Sequence, residues 1–354
     1  MKHAEIKKCT DKDLVSLFKM FKDIYKANPN LQNKAYFDWQ YKYTPFSKNQ
    51  SEYTFYIQKE NNKIVAFLGY LPIEYRYDQK IFNGCWLYNW YSTSQSMAGL
   101  KLLIHMLEKF DNLFLYGMTP TATAIYSRFQ IPILNEMPRF LAILDEHGCI
   151  KNIKCQNRKD LTKSSVALSR YKDSGNIKQV ERFDPEEEFL FEEWEDLKGY
   201  CRRTGAFLNW RFLDIPNHNY KCIYHLQGGY AVYRIEPIMY QNASVTRLIE
   251  WNFKGKNAEH ALAYIIKDSK KKSSILIDFF STSDAVGKEL KRLGFIHEQE
   301  ARKKRIPYLF RPLFLIEKGI SVGIYQAPQN TKRHVNFNHW YITSGDGDMD
   351  RIKL

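Results

Sequence analysis

At 354 residues, with 44% hydrophobic and 15% aromatic side chains, the chain holds enough apolar material for packed cores, which excludes a disordered protein. Its 53 Lys and Arg against 39 Asp and Glu leave a formal charge of +14, which suits partners bearing phosphates or an anionic surface. Two domains are expected from the length, and no run is apolar for long enough to span a bilayer.

Met1-Lys2-His3-Ala4-Glu5 lacks the apolar core of a signal peptide. The six cysteines show neither paired nor zinc-like spacing, so reduced thiols, a cytoplasmic location and no metal site are expected. In chain order, Thr10 caps a helix over 11–25 with Leu14, Leu17, Phe18, Phe21 and Ile24 on one face. A second short helix over 36–44 ends before Pro45. Strands over 52–57 and 63–71 turn at Glu60-Asn61-Asn62, and strands over 74–77 and 82–91 turn at Asp78-Gln79-Lys80.

The run 86–91 then leads through the polar turn 92–97 into a helix with Leu100, Leu103, Ile104 and Leu107 on one side. Strand 113–116 and a helix containing Tyr126 complete a parallel βαβ unit with a right-handed crossover. The turn before its first helix offers backbone N–H groups at a positive dipole end, where a phosphate would sit. Strand 138–144 closes the unit, and the polar region 146–180 reads as a connector.

The pattern then repeats. Segment 207–216 matches 36–45, with Trp210 for Trp39 and Pro216 for Pro45. Leu248-Ile249-Glu250-Trp251 matches Leu87-Tyr88-Asn89-Trp90, with a hairpin trimmed around Gln227-Gly228-Gly229. A helix over 258–267, a strand over 275–280, a helical segment over 284–295 and a strand over 306–314 follow in the same order. Each match is weak by itself; their shared order predicts two copies of one fold.

This doubled order resembles a tandem GNAT-type N-acyltransferase, an arrangement shared by FemABX-type aminoacyltransferases and by relatives that acylate cell-surface sugars. The resemblance covers the chain apart from the connector and the tail. It implies an α+β protein of two tandem GNAT-like domains, each a mixed sheet flanked by helices, over 1–145 and 185–320. A connector over 146–184 and a tail over 321–354, docked on the body, complete the expected division.

In this family a Gln/Arg-x-x-Gly-x-Gly/Ala turn binds the CoA pyrophosphate through its amides. Gln95-Ser96-Met97-Ala98-Gly99 keeps the Gln and one Gly, and Lys254-Gly255-Lys256 offers a glycine between two lysines in the second copy. Both are cofactor-site candidates for acetyl-CoA or another acyl-CoA. Amide formation from a thioester needs a base for the amine and a proton donor for the thiolate. The resemblance implies Glu250, on the strand matched to the central one, as base, and Tyr126 as proton donor. Asp278, a charge inside an apolar strand, either faces the cleft or pairs with a basic residue near Arg305.

The partner of Glu250 in the first copy is Asn89, which cannot act as a base, so the second copy is expected to supply the base. Its carboxylate should then point into a cleft beside the tail aspartates or Tyr126. Trp90 and Trp251 are expected to stack on a sugar or base ring, and Asp346 and Asp348 of the acidic tail to hold a cationic amine. The tail alternates Asp and Gly without the twelve-position ligand order of a calcium loop. His105 and His260 read as ordinary surface or core histidines. The expected acceptor is an amino sugar, including a nucleotide-linked one. The alternatives are a tRNA-dependent FemABX-type transferase and a binding module without catalysis.

Overall fold

The computed structural model describes residues 5–347 except 26–28, 48–50, 94–96, 154–157, 172–174, 192, 218, 239–241, 299–307, 311–313, 317–318 and 328–334. Its strands in chain order begin with β1 (Ile6–Lys8), β2 (Phe55–Glu60), β3 (Lys63–Tyr77), β4 (Lys80–Ser92), β5 (Asn112–Tyr116), β6 (Ile133–Leu134), β7 (Arg139–Ile143) and β8 (Ile177–Val180). Three short strands follow, β9 (Glu188–Phe189), β10 (Gly199–Cys201) and β11 (Arg203–Thr204). Then come β12 (Lys221–His225), β13 (Tyr230–Pro237), β14 (Ser244–Trp251), β15 (Ser274–Phe280) and β16 (Ile296–His297). β17 (Tyr308–Phe310), β18 (Phe314–Ile316), β19 (Val322–Gln326) and β20 (Trp340–Tyr341) end the series.

The helices are α1 (Leu14–Ile24), α2 (Lys34–Tyr41), α3 (Ala98–Lys109), α4 (Pro120–Arg128), α5 (Glu146–Ile153), α6 (Arg158–Leu168), α7 (Gly205–Leu208), α8 (Gly255–Lys271) and α9 (Asp284–Arg292). Their starts carry the expected signals. Asn33 caps α2, Thr119 caps α4 ahead of Pro120, and Ser283 caps α9, each through its side-chain oxygen. The β2–β3 and β3–β4 hairpins turn through Asn61-Asn62 and Asp78-Gln79, all at positive φ, as tight primed turns require.

The two main sheets have one strand order. The first runs β1-β2-β3-β4-β5-β19-β6 and the second, read from the same side, β8-β12-β13-β14-β15-β7-β16. Neighbours are antiparallel throughout, except for the parallel pairs β4–β5 and β14–β15. The sixth position is exchanged. β7, expected to close the first copy, pairs with β15 and β16, whereas β19 from the far end of the chain enters between β5 and β6. The strand expected over 306–314 is instead part of a separate β17–β18 hairpin.

The connector reading of 146–180 is also corrected. α5 and α6 form there, and β8 adds an edge strand to the second sheet by pairing with β12.

A local two-fold relation joins the copies at the matched tryptophans. Trp39 and Trp210 stack with ring centroids 5.1 Å apart, a contact worth about 0.5–1.5 kcal/mol beyond the buried area. Trp39 Nε1 donates to Trp210 O at 2.7 Å and Trp210 Nε1 donates to Trp39 O at 2.9 Å. Such reciprocity is what a two-fold axis imposes on a contact between like elements. Among the described residues no helix is long and apolar enough to cross a membrane.

Candidate active site

Both sheets split at the same place. β4 and β5 pair at Cys85↔Leu113, Trp86↔Phe114 and Leu87↔Leu115, after which β4 continues to Ser92 along β3 alone. Between the pairs Gly69↔Tyr88 and Phe67↔Tyr91 the strand carries a bulge, with Asn89 at φ +47°. In the second sheet the last β14–β15 pair is Leu248↔Phe279, and the bulge falls at Ile249. A wedge between parting parallel strands exposes backbone amides that a ligand carbonyl can use.

The second wedge is filled by the protein itself. Tyr341, delivered by the pairing of β20 with β10, puts its hydroxyl 2.8 Å from the Trp251 amide and 3.0 Å from the Trp251 carbonyl. Glu250 lies beneath it, fully buried. Its carboxylate receives Arg203 Nη2 at 3.0 Å, Arg203 Nε at 3.2 Å, Thr343 Oγ1 at 2.8 Å and the Tyr341 hydroxyl at 3.1 Å. Burial pushes the Glu250 carboxyl up, with Asp346 adding to the rise and Arg203 opposing it. Glu250 therefore has the expected neighbour in the tail, but it faces a closed ion cluster instead of a cleft.

The phosphate cradle expected in the second copy is occupied in the same way. The Gly255 amide donates to Glu289 Oε1 at 2.8 Å, and Arg292 Nη2 holds the Gly255 carbonyl at 2.9 Å. A carboxylate thus takes the anion position at the start of α8. Lys254 bonds the Glu193 carbonyl, and Lys256 is exposed.

The first wedge differs. Met97, the residue before α3, is 64% exposed and supplies no side-chain cap. Ala98 is buried, and the Gly99 amide donates to Ser92 Oγ at 3.3 Å. A Cβ on Gly99 would lie 2.6 Å from Ser92 Cβ, so glycine there lets α3 start hard against β4. Gln95 and Ser96 lie outside the described residues, as does Asp348. Trp90 donates through Nε1 to Gly99 O at 3.0 Å, and its ring lies 5.3 Å from that of Tyr126. Tyr126 is buried, which pushes its phenol up, and its hydroxyl makes no hydrogen bond to a described residue.

Two expectations are redirected. Asp278 is 1% exposed and pairs with Arg139 at 2.9 Å and Arg247 at 3.2 Å, so it is neutralised within the sheet; Arg305 lies outside the described residues. Arg139 arrives on the exchanged strand β7, which makes the exchange the source of one counter-charge. Trp251 is sealed in the second core and cannot stack on a substrate ring. The sequence reading missed Arg203, Arg211, Tyr341 and Glu289, each of which bonds a residue 34 or more positions away.

No protein-family model matches the sequence, and no curated protein matches it. Among solved structures it is similar to a probable N-acyltransferase from Enterococcus faecalis V583, at 12% identity and TM-score 0.54 over 91% of this chain and 72% of that one. A GCN5-related N-acetyltransferase from Anabaena variabilis is similar at 11% identity and TM-score 0.56, over 90% and 72%. N-myristoyltransferase of Saccharomyces cerevisiae with bound myristoyl-CoA is similar at 12% identity and TM-score 0.50, over 96% and 84%. The chain has the fold of the GNAT-type N-acyltransferases, present in two copies that exchange a strand.

Proposed function

We propose that the protein is an acyl-CoA-dependent N-acyltransferase whose first wedge takes the thioester, with the second copy as scaffold. The contrast between the wedges carries this reading. The Trp251 and Gly255 amides are taken by Tyr341 and Glu289, whereas no side chain is bonded to the matching Trp90 amide among the described residues. When bound, the thioester supplies an activated carbonyl and a thiolate leaving group. In this reading the amides at the β4 bulge hold that carbonyl oxygen, and the start of α3 faces the pyrophosphate. The Tyr126 hydroxyl is the proton source for the sulfur, and Trp90 lines the approach.

The acceptor is a primary amine, with an amino sugar or nucleotide-linked amino sugar as the preferred class because aromatic residues surround the seam between the copies. Five described cysteines are free and buried, which supports a reducing, cytoplasmic setting. The charge of +14 favours aminoacyl-tRNA as the rival acyl donor.

The test is thiol release from acetyl-CoA and from longer acyl-CoAs, myristoyl-CoA included, with a panel of amines. Tyr126→Phe, which removes a hydroxyl bonded to nothing described, should leave the fold intact and lower turnover about 10²-fold, the lower end for a lost general acid. Unchanged turnover would remove Tyr126 from the mechanism. Co-purified RNA without any response to acyl-CoA would favour the tRNA reading, and no response to either would favour a binding module.

A further inference from the structure

The bulge that opens the first wedge is held in a conformation its residue does not favour. Asn89 lies at φ +47°, in the left-handed region that glycine adopts freely and other residues only at a cost. A bulge with its first residue left-handed takes that stretch of β4 out of the β3 ladder and sharpens the local twist. In the second sheet a bulge falls at the matching place, yet neither Ile249 nor Glu250 has positive φ. Such a residue persists only where its surroundings over-determine it.

Three contacts do so here. Tyr88, just before the bulge, donates its hydroxyl to Asp346 O at 2.7 Å, and Trp90, just after it, donates through Nε1 to Gly99 O at 3.0 Å. The tail reaches the same place: Tyr88 and Tyr116 each stand one residue beyond the last β4–β5 pair, and a Cβ on Gly347 would meet the Tyr116 ring at 2.2 Å. Between Tyr88 and Trp90, the Asn89 side-chain amide donates to the Tyr41 hydroxyl.

Tyr41 is itself fixed. Its side chain is fully buried, with the ring 4.8 Å from that of Phe37 and 4.9 Å from that of Phe55. Its carbonyl accepts from the Thr54 amide at 2.7 Å and from Thr54 Oγ1 at 3.1 Å. A Cβ on Gly69 would lie 2.6 Å from Tyr41 Cε1, so glycine at this point of β3 lets the phenol reach across to β4.

We infer that Tyr41 is a positioning residue of the first wedge: its hydroxyl holds Asn89 left-handed and so keeps the bulge amides out of the ladder, available to a thioester carbonyl. Without that bond Asn89 is free to relax toward the extended region, where the amides turn back to β3. Tyr41 acts only through Asn89. Its part in acyl transfer rests on the acyltransferase reading; its hold on the bulge does not.

The test is Tyr41→Phe in the full chain, which removes only the hydroxyl, with two readouts. Amide hydrogen exchange at residues 88–91 should be about tenfold faster than in wild type, the scale of one hydrogen bond, with the rest of β4 unchanged. Calorimetric titration compares CoA with the ketone analogue of acetyl-CoA in which CH2 replaces sulfur. CoA affinity should be unchanged, and the extra affinity brought by the ketone should fall about tenfold. Asn89→Gly, which takes the left-handed conformation without a side-chain hold, should restore both readouts when combined with Tyr41→Phe. Asn89→Ala should behave like Tyr41→Phe. Unaltered exchange in Tyr41→Phe, or a double variant as impaired as the single one, overturns the inference. Faster exchange with rescue but no CoA binding by any variant keeps the hold on the bulge and removes the thioester reading; CoA binding with unaltered exchange removes only the role of Tyr41.

Discussion

Arg203 is the residue on which docking of the tail depends. Its guanidinium is fully buried, bridges Glu250 and Asp346, and packs over the Phe207 ring at 5.3 Å. Removing it would strand two carboxylates in the interior. Arg203→Ala should therefore cost about 3–5 kcal/mol in urea denaturation, the range for breaking a buried ion pair from one side. A loss well under 1 kcal/mol would show the cluster to be open to water. Glu188 is the opposite case, held between Arg202 and Arg76 on the surface between the copies. Its carboxyl is lowered to about 2, chiefly by the Arg202 hydrogen bonds. A lowered acid stabilises the fold above its ordinary range and loses that contribution as the pH falls toward 2. Glu188→Gln should thus be less stable than wild type at pH 7 and converge with it near pH 2; a constant gap across that range contradicts the assignment. Glu250 shows why single residues were hard to read from sequence. A lone acid on a central strand reads as a base, yet its counter-ion is 47 positions away and its hydroxyl partner 91.

The elements themselves were largely legible. Helical periodicity found α1, α3, α8 and α9, and paired Asn61-Asn62 and Asp78-Gln79 found the hairpins. Helices α5 and α6 in the expected connector were missed, and β3 was read as two strands although it runs unbroken through Pro72, which is tolerated where β3 lies beyond the start of β2, whose first pair is Phe55↔Gly69. What sequence could not disclose is which sheet a closing strand joins. β7 and β19 are both short apolar runs, and either satisfies the edge of β5 or of β15 by pattern alone. The exchange couples the copies, because the first sheet lacks its sixth strand until residues 322–326 arrive. Calorimetry of the whole chain should accordingly give one cooperative transition, and the isolated segment 1–145 should not fold. Two resolved transitions would mean that the sheets are stable apart.

At the scale of the molecule, duplication has produced two wedges with different fates. In one, Tyr341 and Glu289 occupy the Trp251 and Gly255 amides; in the other, the proposed function leaves the bulge at Asn89 and the start of α3, where Met97 is exposed, to a ligand. The tail joins both, since it seals the second wedge with Tyr341 and reaches the mouth of the first at Gly347. The most direct test of this asymmetry is calorimetric titration of the full-length protein with CoA. One site per chain is expected, abolished when Gly99→Val forces α3 from Ser92 and unchanged in Lys254→Ala/Lys256→Ala. Two sites per chain, or a single site lost with the two lysines and kept in Gly99→Val, would contradict it.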